Sequence, residues 1–385
     1  MIDFNFVSPT KIYFGKDKEL LVGKILKEFG YKNVLIVCGE GSVKRSGLFD
    51  KVIACLKDEN IEFRELSKVR PNPSLESSKN GVKIAKDARI DAILAIGGGS
   101  VIDVAKSIAV SYFYDGDPFD FNAHKIEPKQ ALPIGVILTI SASGSELSDS
   151  CVIANDELGV KQGFNSDVVR PKFAIMNPEL TFSVSKYQTG CGIVDIISHS
   201  LERYFSKSAE LEPCDAFALA VIKETIKAGK IAIKEPNNYD ARASLMLLGS
   251  YSHNGLTSLG KKKDMPIHKM EHALSAYDIK IAHGAGLSIL IPAWMEYVYK
   301  EDEYKFIKFA EYCFSTSSAL KGIQSLKEYF KSIGMPVSLK EVNLSKEDIP
   351  TLVDNMTDKG TRMIGLNSIK PLDKKDLEKI LESVL

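Results

Sequence analysis

The sequence predicts a two-part chain: a doubly wound α/β half over residues 1–185, followed by an all-helical half over residues 186–385. Three observations carry this. A chain of 385 residues is too long for one ordinary core. In the first half, short apolar runs alternate with segments of helical spacing, the rhythm of a parallel sheet covered by helices. Beyond about residue 183 the helical period continues almost without interruption and strand-like runs vanish.

In chain order, Phe4–Phe14 reads as two short β segments around Pro9, an early hairpin or an edge strand. Residues 17–29 carry helical spacing. Asn33–Cys38 is a continuous apolar run, expected to be a buried strand, and Gly39-Glu40-Gly41-Ser42 follows it. A helix is expected from Phe49 to Asp58, a strand over Ile61–Leu66, a rigid turn at Pro71-Asn72-Pro73 and a helix over 76–88. Ile93–Ile96 is again apolar and runs into Gly97-Gly98-Gly99-Ser100. Val101, Ile102, Ala105, Ile108 and Ala109 then recur at helical spacing. Pro133–Leu138 gives another buried strand. Short strand-like runs follow at Cys151–Ala154 and Lys172–Met176. The second half is expected to hold helices over 187–205, 211–232, 239–256, 266–276, 284–300, 302–314, 317–333 and 372–384.

Composition excludes several classes of function. Fifty basic residues balance fifty acidic ones, so no net charge draws the chain to nucleic acid or another polyanion. Hydrophobic residues make up 44% and charged residues 26%, as in a water-soluble globular protein. No apolar run approaches the ~20 residues of a membrane span. Met1–Phe6 lacks the basic and apolar regions of a signal peptide. The six cysteines are scattered without a Cys-x-x-Cys pair, which fits a reducing, cytoplasmic setting. A small-molecule partner is therefore expected, with neither nucleic acid nor membrane.

Two groups of residues point to chemistry. The first is the strand–glycine–helix stretch Ile93–Lys106. Glycines let the backbone approach a ligand closely, and the start of a helix offers N–H groups and a positive dipole end suited to phosphate. A tight turn capped by Ser100 is the plain structural alternative. In open α/β sheets ligands bind beyond the carboxyl ends of the strands, where Gly39–Ser42, Gly97–Ser100 and Thr139–Glu146 all fall. The second group is histidine-rich. Asp195 and His199 are spaced i,i+4, as are His268 and His272, and His283 opens the run His283-Gly284-Ala285-Gly286-Leu287. An i,i+4 pair lies on one helix face and can offer two adjacent donors. One carboxylate and three imidazoles suit Fe(II) or Zn(II) and are too nitrogen-rich for Mg(II) or Ca(II). The alternative is core or surface histidines that are close in sequence by chance.

Gly-Gly-Gly-Ser-x-x-Asp-x-Ala-Lys, Asp-x-x-x-His, His-x-x-x-His and His-Gly-x-Gly together resemble the signatures of the iron-containing (group III) alcohol dehydrogenases. Gly41–Arg45, Val69–Pro73, Glu271–Ala276 and Pro292–Met295 are most similar to the butanol dehydrogenase branch. The resemblance implies an α/β dinucleotide-binding domain and an all-α metal-binding domain, a dehydroquinate synthase-like fold. It implies one divalent metal held by Asp195, His199, His268 and His283, with His272 unligated beside nicotinamide and substrate. It also implies that Gly98, Gly99, Ser100 and Asp103 hold the pyrophosphate and adjoining ribose, that Thr139 and Ser143 supply hydroxyls, that Lys161 reaches the nicotinamide ribose, and that Asn72 and Pro73 border the adenosine. A homodimer is implied as well.

Two stretches depart from the family pattern: Ser141 replaces a usual proline and Ser143 a threonine, and the spacing from His272 to His283 is one residue longer than expected of the branch. A third departure concerns cofactor choice. Gly39-Glu40-Gly41-Ser42 places a carboxylate where the branch commonly has glycine. Glu40 would accept a hydrogen bond from a ribose 2′-OH and repel a 2′-phosphate, which favours NAD over NADP, while Lys44 and Arg45 nearby could offset the repulsion. The expected reaction is hydride transfer between short primary alcohols and aldehydes, butanol and butanal among them, with the metal as Lewis acid. The alternatives are a dehydroquinate synthase-type lyase or another polyol dehydrogenase of the same fold, and a non-catalytic nucleotide binder. A lyase acting on an anionic cyclic substrate needs convergent cations, whereas Ile196, Ile197, Leu274 and Ala276 around the metal motifs are apolar or small.

Overall fold

The computed structural model describes residues 2–207 and 212–385, and the chain divides into two compact units. One is Val7–Ser183. The other is Val184–Leu385 together with the segment up to Phe6, so the first residues group with the helical unit and not with the α/β unit.

The Val7–Ser183 unit is built on a parallel sheet of β1 (Lys11–Phe14), β2 (Asn33–Gly39), β3 (Glu62–Val69), β4 (Ala92–Gly97), β5 (Ile134–Leu138) and β8 (Phe173–Met176), in the order β1-β8-β5-β4-β2-β3. β4 and β5 are buried throughout, which is why their sequences read as unbroken apolar runs. Helices α1 (Val22–Glu28), α2 (Leu48–Asp58), α3 (Leu75–Ala88) and α4 (Gly99–Ser111) connect them. From β2 the chain steps outward to β3 and then returns past β2 to β4. The strand order therefore reverses between β2 and β4, and ligands of open α/β sheets bind at that point beyond the carboxyl ends. Gly39–Ser42 and Gly97–Ser100 lie there.

The expected β segment before Pro9 does not form. Phe4, Phe6 and Val7 are exposed, and only Lys11–Phe14 pairs, as an edge strand parallel to β8. A two-stranded antiparallel hairpin, β6 (Ser150–Asn155) and β7 (Val160–Asn165), was legible only in its first strand. The second, Val-Lys-Gln-Gly-Phe-Asn, has neither an apolar run nor clean alternation.

The other unit is helical: α5 (Lys186–Tyr204), α6 (Glu212–Lys234), α7 (Tyr239–His253), α8 (Pro266–Tyr277), α9 (His283–Val298), α10 (Glu303–Phe314), α11 (Ala319–Ser332), α12 (Ile349–Thr357) and α13 (Lys374–Glu382). The expected start of α6 at Leu211 lies outside the described residues. α7 ends three residues earlier than its pattern predicts, because Gly255 at φ 108 turns the chain. α12 was not foreseen; Pro350 in its first turn reads as a breaker, although the first turn is where a helix tolerates proline. The core centres on Trp294, fully buried, with Phe205 edge-on at 6.0 Å and Phe306 stacked on Phe205 at 4.1 Å. Among the described residues no helix is long and apolar enough to cross a membrane.

Candidate metal centre and nucleotide loops

α5 is buried along nearly its whole length. At 100° per residue, Asp195, His199 and Glu202 share one of its faces. His199 Nδ1 and His268 Nε2 each lie 3.6 Å from Asp195 Oδ1, and His283 Nε2 lies 3.7 Å from it. These separations are too long for good hydrogen bonds. For Asp195, His199 and His268, whose donor atoms all lie within 4.8 Å of one another, they match donors around one ion, because tetrahedral ligands about 2.0–2.2 Å from a metal stand roughly 3.3–3.6 Å apart; His283 approaches the same oxygen and groups within 4.8 Å with Glu271 and His272. Asp195 Oδ1, His199 Nδ1 and His268 Nε2 are buried, and none has a hydrogen-bond partner among the described residues. Orphaned buried donors and acceptors are costly, and a divalent cation would satisfy all three at once. The donor set therefore fits the metal expected from the sequence.

Two glutamates that the spacing argument missed hold the imidazoles in place. Glu202 Oε2 bonds His268 Nδ1, and its Oε1 accepts the backbone N–H of Ile267 at 2.5 Å in the first turn of α8. A carboxylate there both satisfies an orphan N–H and meets the positive helix end. Glu271 Oε2 bonds His283 Nδ1. Metal-bound histidines characteristically present their second nitrogen to such a partner. The signal was available: Glu202 falls three residues after His199 and Glu271 three after His268, on the ligand faces of their helices. His253, the last residue of α7, was missed too. Its ring stands edge-on to that of His199 with centroids 4.1 Å apart. His272 is half-buried, its ring 5.8 Å from that of His283 and 6.4 Å from that of His268.

Charge in this cluster is divided unevenly. Burial, reinforced by His253 and His268, drives the His199 imidazole well below its ordinary range, so it is neutral. Burial alone would lower His268 too, but the carboxylates of Glu202 and Asp195 outweigh it and push that imidazole up to about 9.

In the α/β unit the glycine turn is crowded by the chain itself. A Cβ on Gly98 would stand 2.2 Å from Ile140 Cγ2, and one on Gly99 would stand 2.4 Å from Ser143 Oγ. The N-cap of α4 is Gly98, which has no side chain to cap it, and Ser100 lies within the first turn and not at the cap. The helix start thus keeps a backbone face suited to phosphate. Thr139 is pinned by its N–H to the Gly97 carbonyl at 3.1 Å.

Asp103 is engaged within the fold. Its Oδ1 accepts from Ser145 Oγ at 2.7 Å and its Oδ2 from the Val152 N–H at 3.2 Å. Buried Lys106 donates to Ser145 Oγ and to the Ser148 and Ser150 carbonyls at 2.8–3.0 Å. The Asp-x-Ala-Lys part of the motif therefore fastens the 143–152 segment to α4.

The β6–β7 hairpin places Lys161. Ala154 pairs with Lys161 across the hairpin, and the Ala154 N–H donates to the Pro73 carbonyl at 2.8 Å. This brings Lys161 Nζ to 2.9 Å from Asn72 Oδ1, although 89 residues separate them. Asn72 adopts φ 55, a left-handed conformation that asparagine tolerates better than most residues. Glu40 and Ser42 are exposed at the end of β2. Lys44 Nζ pairs with Glu65 Oε1, and Arg45 folds over Gly41, where a Cβ would stand 3.0 Å from its Nη1.

Known proteins match the whole chain. Residues 9–178 match the family model for iron-containing alcohol dehydrogenase, and residues 189–385 match that for the C-terminal part of the Fe-containing alcohol dehydrogenase family. NADH-dependent butanol dehydrogenase A of Clostridium acetobutylicum is 41% identical over 99% of each chain. The probable NADH-dependent butanol dehydrogenase 1 of Bacillus subtilis is 38% identical over the full length of both. The crystal structure of NADH-dependent butanol dehydrogenase A from Thermotoga maritima superposes with a TM-score of 0.95 at 38% identity, covering 100% of this chain and 99% of that one.

Proposed function

The chain belongs to the iron-containing alcohol dehydrogenase family, and from that premise we propose that it interconverts short primary alcohols and aldehydes, of the butanol–butanal kind, with NADH as the favoured cofactor. The observation that carries the reading is the convergence of three imidazole nitrogens on Asp195 Oδ1 at 3.6–3.7 Å. A divalent metal, Fe(II) or Zn(II), supplies a Lewis acid for the substrate oxygen, and the nicotinamide cofactor gives or takes the hydride.

The protein's own residues do the rest. Asp195, His199, His268 and His283 hold the metal, and Glu202 and Glu271 fix two of the rings. His272, half-buried next to His283, exchanges a proton with the substrate oxygen. Gly98, Gly99 and Ser100 present the start of α4 to the pyrophosphate. Lys161 takes the nicotinamide ribose, and Asn72, hydrogen-bonded to it at 2.9 Å, goes to that same ribose and away from the adenosine border expected of it, with Pro73 and Thr139 bordering the path and Ser143 packed under Gly99. Gly39 and Ser42 flank Glu40, which accepts a ribose 2′-OH and repels a 2′-phosphate. The pairing of Lys44 with Glu65 removes one of the two cations that could offset that repulsion. The two relatives at 41% and 38% identity are named for NADH. A homodimer and a cytoplasmic setting belong to the same reading. The edge strand β1, with exposed Phe4, Phe6 and Val7 just before it in the chain, supports the first, and six free cysteines support the second.

The test is the initial rate of butanal reduction with NADH and with NADPH. It is run on protein reconstituted anaerobically with Fe(II), with Zn(II) or with neither. Metal-dependent oxidation, faster with NADH, is the expected result. No turnover in protein shown to hold metal would overturn the alcohol dehydrogenase reading.

A further inference from the structure

We infer that Glu271 is a positioning residue that holds His283 as the exchangeable ligand of the metal centre, so that this carboxylate, and the glycine that makes room for it, set how fast the metal leaves. The inference rests on the metal-binding reading above.

The four donors are not equivalent. The side chains of Asp195, His199 and His268 are 6%, 4% and 8% exposed; the first two project from the interior of α5 and the third from the first turn of α8. His283 is 27% exposed. It is the first residue of α9, and it follows a short connection, Asp278–Ala282, in which Ile279 is 51% exposed. An ion leaving toward solvent, or a chelator reaching in, meets His283 first.

What aims His283 at Asp195 is Glu271, whose side chain is fully buried and bonds the ring nitrogen facing away from Asp195. The space Glu271 occupies exists because residue 286 is glycine. A Cβ there would stand 2.9 Å from Glu271 Cγ and 3.3 Å from its Oε1. Gly284 serves a different contact, since a Cβ on it would stand 2.3 Å from the Cys191 carbonyl oxygen of α5. The run His283-Gly284-Ala285-Gly286 is thus one device. Its first glycine seats α9 against α5, its second admits Glu271, and Glu271 aims the histidine. Glu202 plays the matching part for His268, but it also caps α8, so its loss would disturb the fold as well as the ligand.

The experiment loads purified full-length protein with Zn(II) or Co(II) and measures metal release into excess chelator. It compares the unaltered protein with Glu271→Gln and Gly286→Ala. Loss of a histidine's carboxylate partner costs about 10–100-fold in metal affinity. The expected result is a rise of that size in release rate for Glu271→Gln and a rise in the same direction for Gly286→Ala. The Co(II) absorption spectrum should change in both and the NADH dissociation constant should stay as it was, while the melting temperature of metal-free protein stays put in Glu271→Gln and falls in Gly286→Ala, whose methyl crowds the buried Glu271 Cγ. Release at the original rate in both variants, with an unaltered Co(II) spectrum, would overturn the inference. If Glu271→Gln does not fold, Gly286→Ala decides by the same two readouts. Unaltered protein that retains no metal after loading would overturn the metal reading itself, and this inference with it.

Discussion

His268 concentrates the chemistry of single residues in this protein. Its imidazole is pushed up to about 9 by Glu202 and Asp195 against the opposing effect of burial, whereas His199 is held neutral. A metal accepts only the neutral ring, so at pH 7 to 8 uptake must displace a proton from His268 and none from His199. Apparent metal affinity is therefore expected to rise with pH, by about tenfold per unit for one displaced proton, and to level off above about 9. Calorimetric titrations in buffers of different ionisation enthalpy will show close to one proton released per metal at pH 7.5 and few at pH 10. Equal release at both would mean that His268 is not the proton donor. The stability of metal-free protein runs the other way. A raised folded-state value gives stabilisation that is complete below the ordinary histidine value of 6.5 and lost as pH climbs through about 9.

At the level of elements, the glycine turn after β4 serves two masters. Gly98 and Gly99 leave the start of α4 without a side-chain cap, and they let the 139–146 segment close down on the turn. Gly98→Ala drives a methyl to 2.2 Å from Ile140 Cγ2. Overpacking of this kind typically costs about 1–3 kcal/mol, measurable by urea unfolding. Because the displaced segment carries Thr139 and Ser143, NADH affinity should weaken together with stability in a fluorescence titration. Lost stability with unaltered NADH affinity would assign the glycine to packing alone. Asp103 and Lys106 belong to the same device, anchoring the segment through Ser145, Ser148, Ser150 and Val152.

For the whole molecule, the two ligands are assigned to different units of the chain. A ligand stabilises the part that binds it, by about 2.7 kcal/mol at a hundred times its dissociation constant. Hydrogen exchange should show metal protecting Lys186–Tyr204, Pro266–Tyr277 and the start of α9. NADH should protect Gly97–Ser111 and the β6–β7 hairpin. Metal-induced protection confined to the Val7–Ser183 unit would contradict the ligand assignment.

Burial periodicity and i,i+4 geometry are local properties of a chain, so the α/β-then-helical order, most element positions and the histidine spacing are legible in the residues alone. Those local cues leave β7 and α12 unread. Both depend on tertiary contacts that override weak local patterns: a partner strand for Val160–Asn165, and burial of Ile349, Leu352, Val353 and Met356 despite Pro350. Only the folded structure decided which side chains meet. Lys161 reaches Asn72, Glu271 backs His283 through the space left at Gly286, and Asp103 turns inward to Ser145 and Val152. Each is a contact between segments that packing alone brings together, and side-chain direction at such a distance leaves no periodic trace in the sequence.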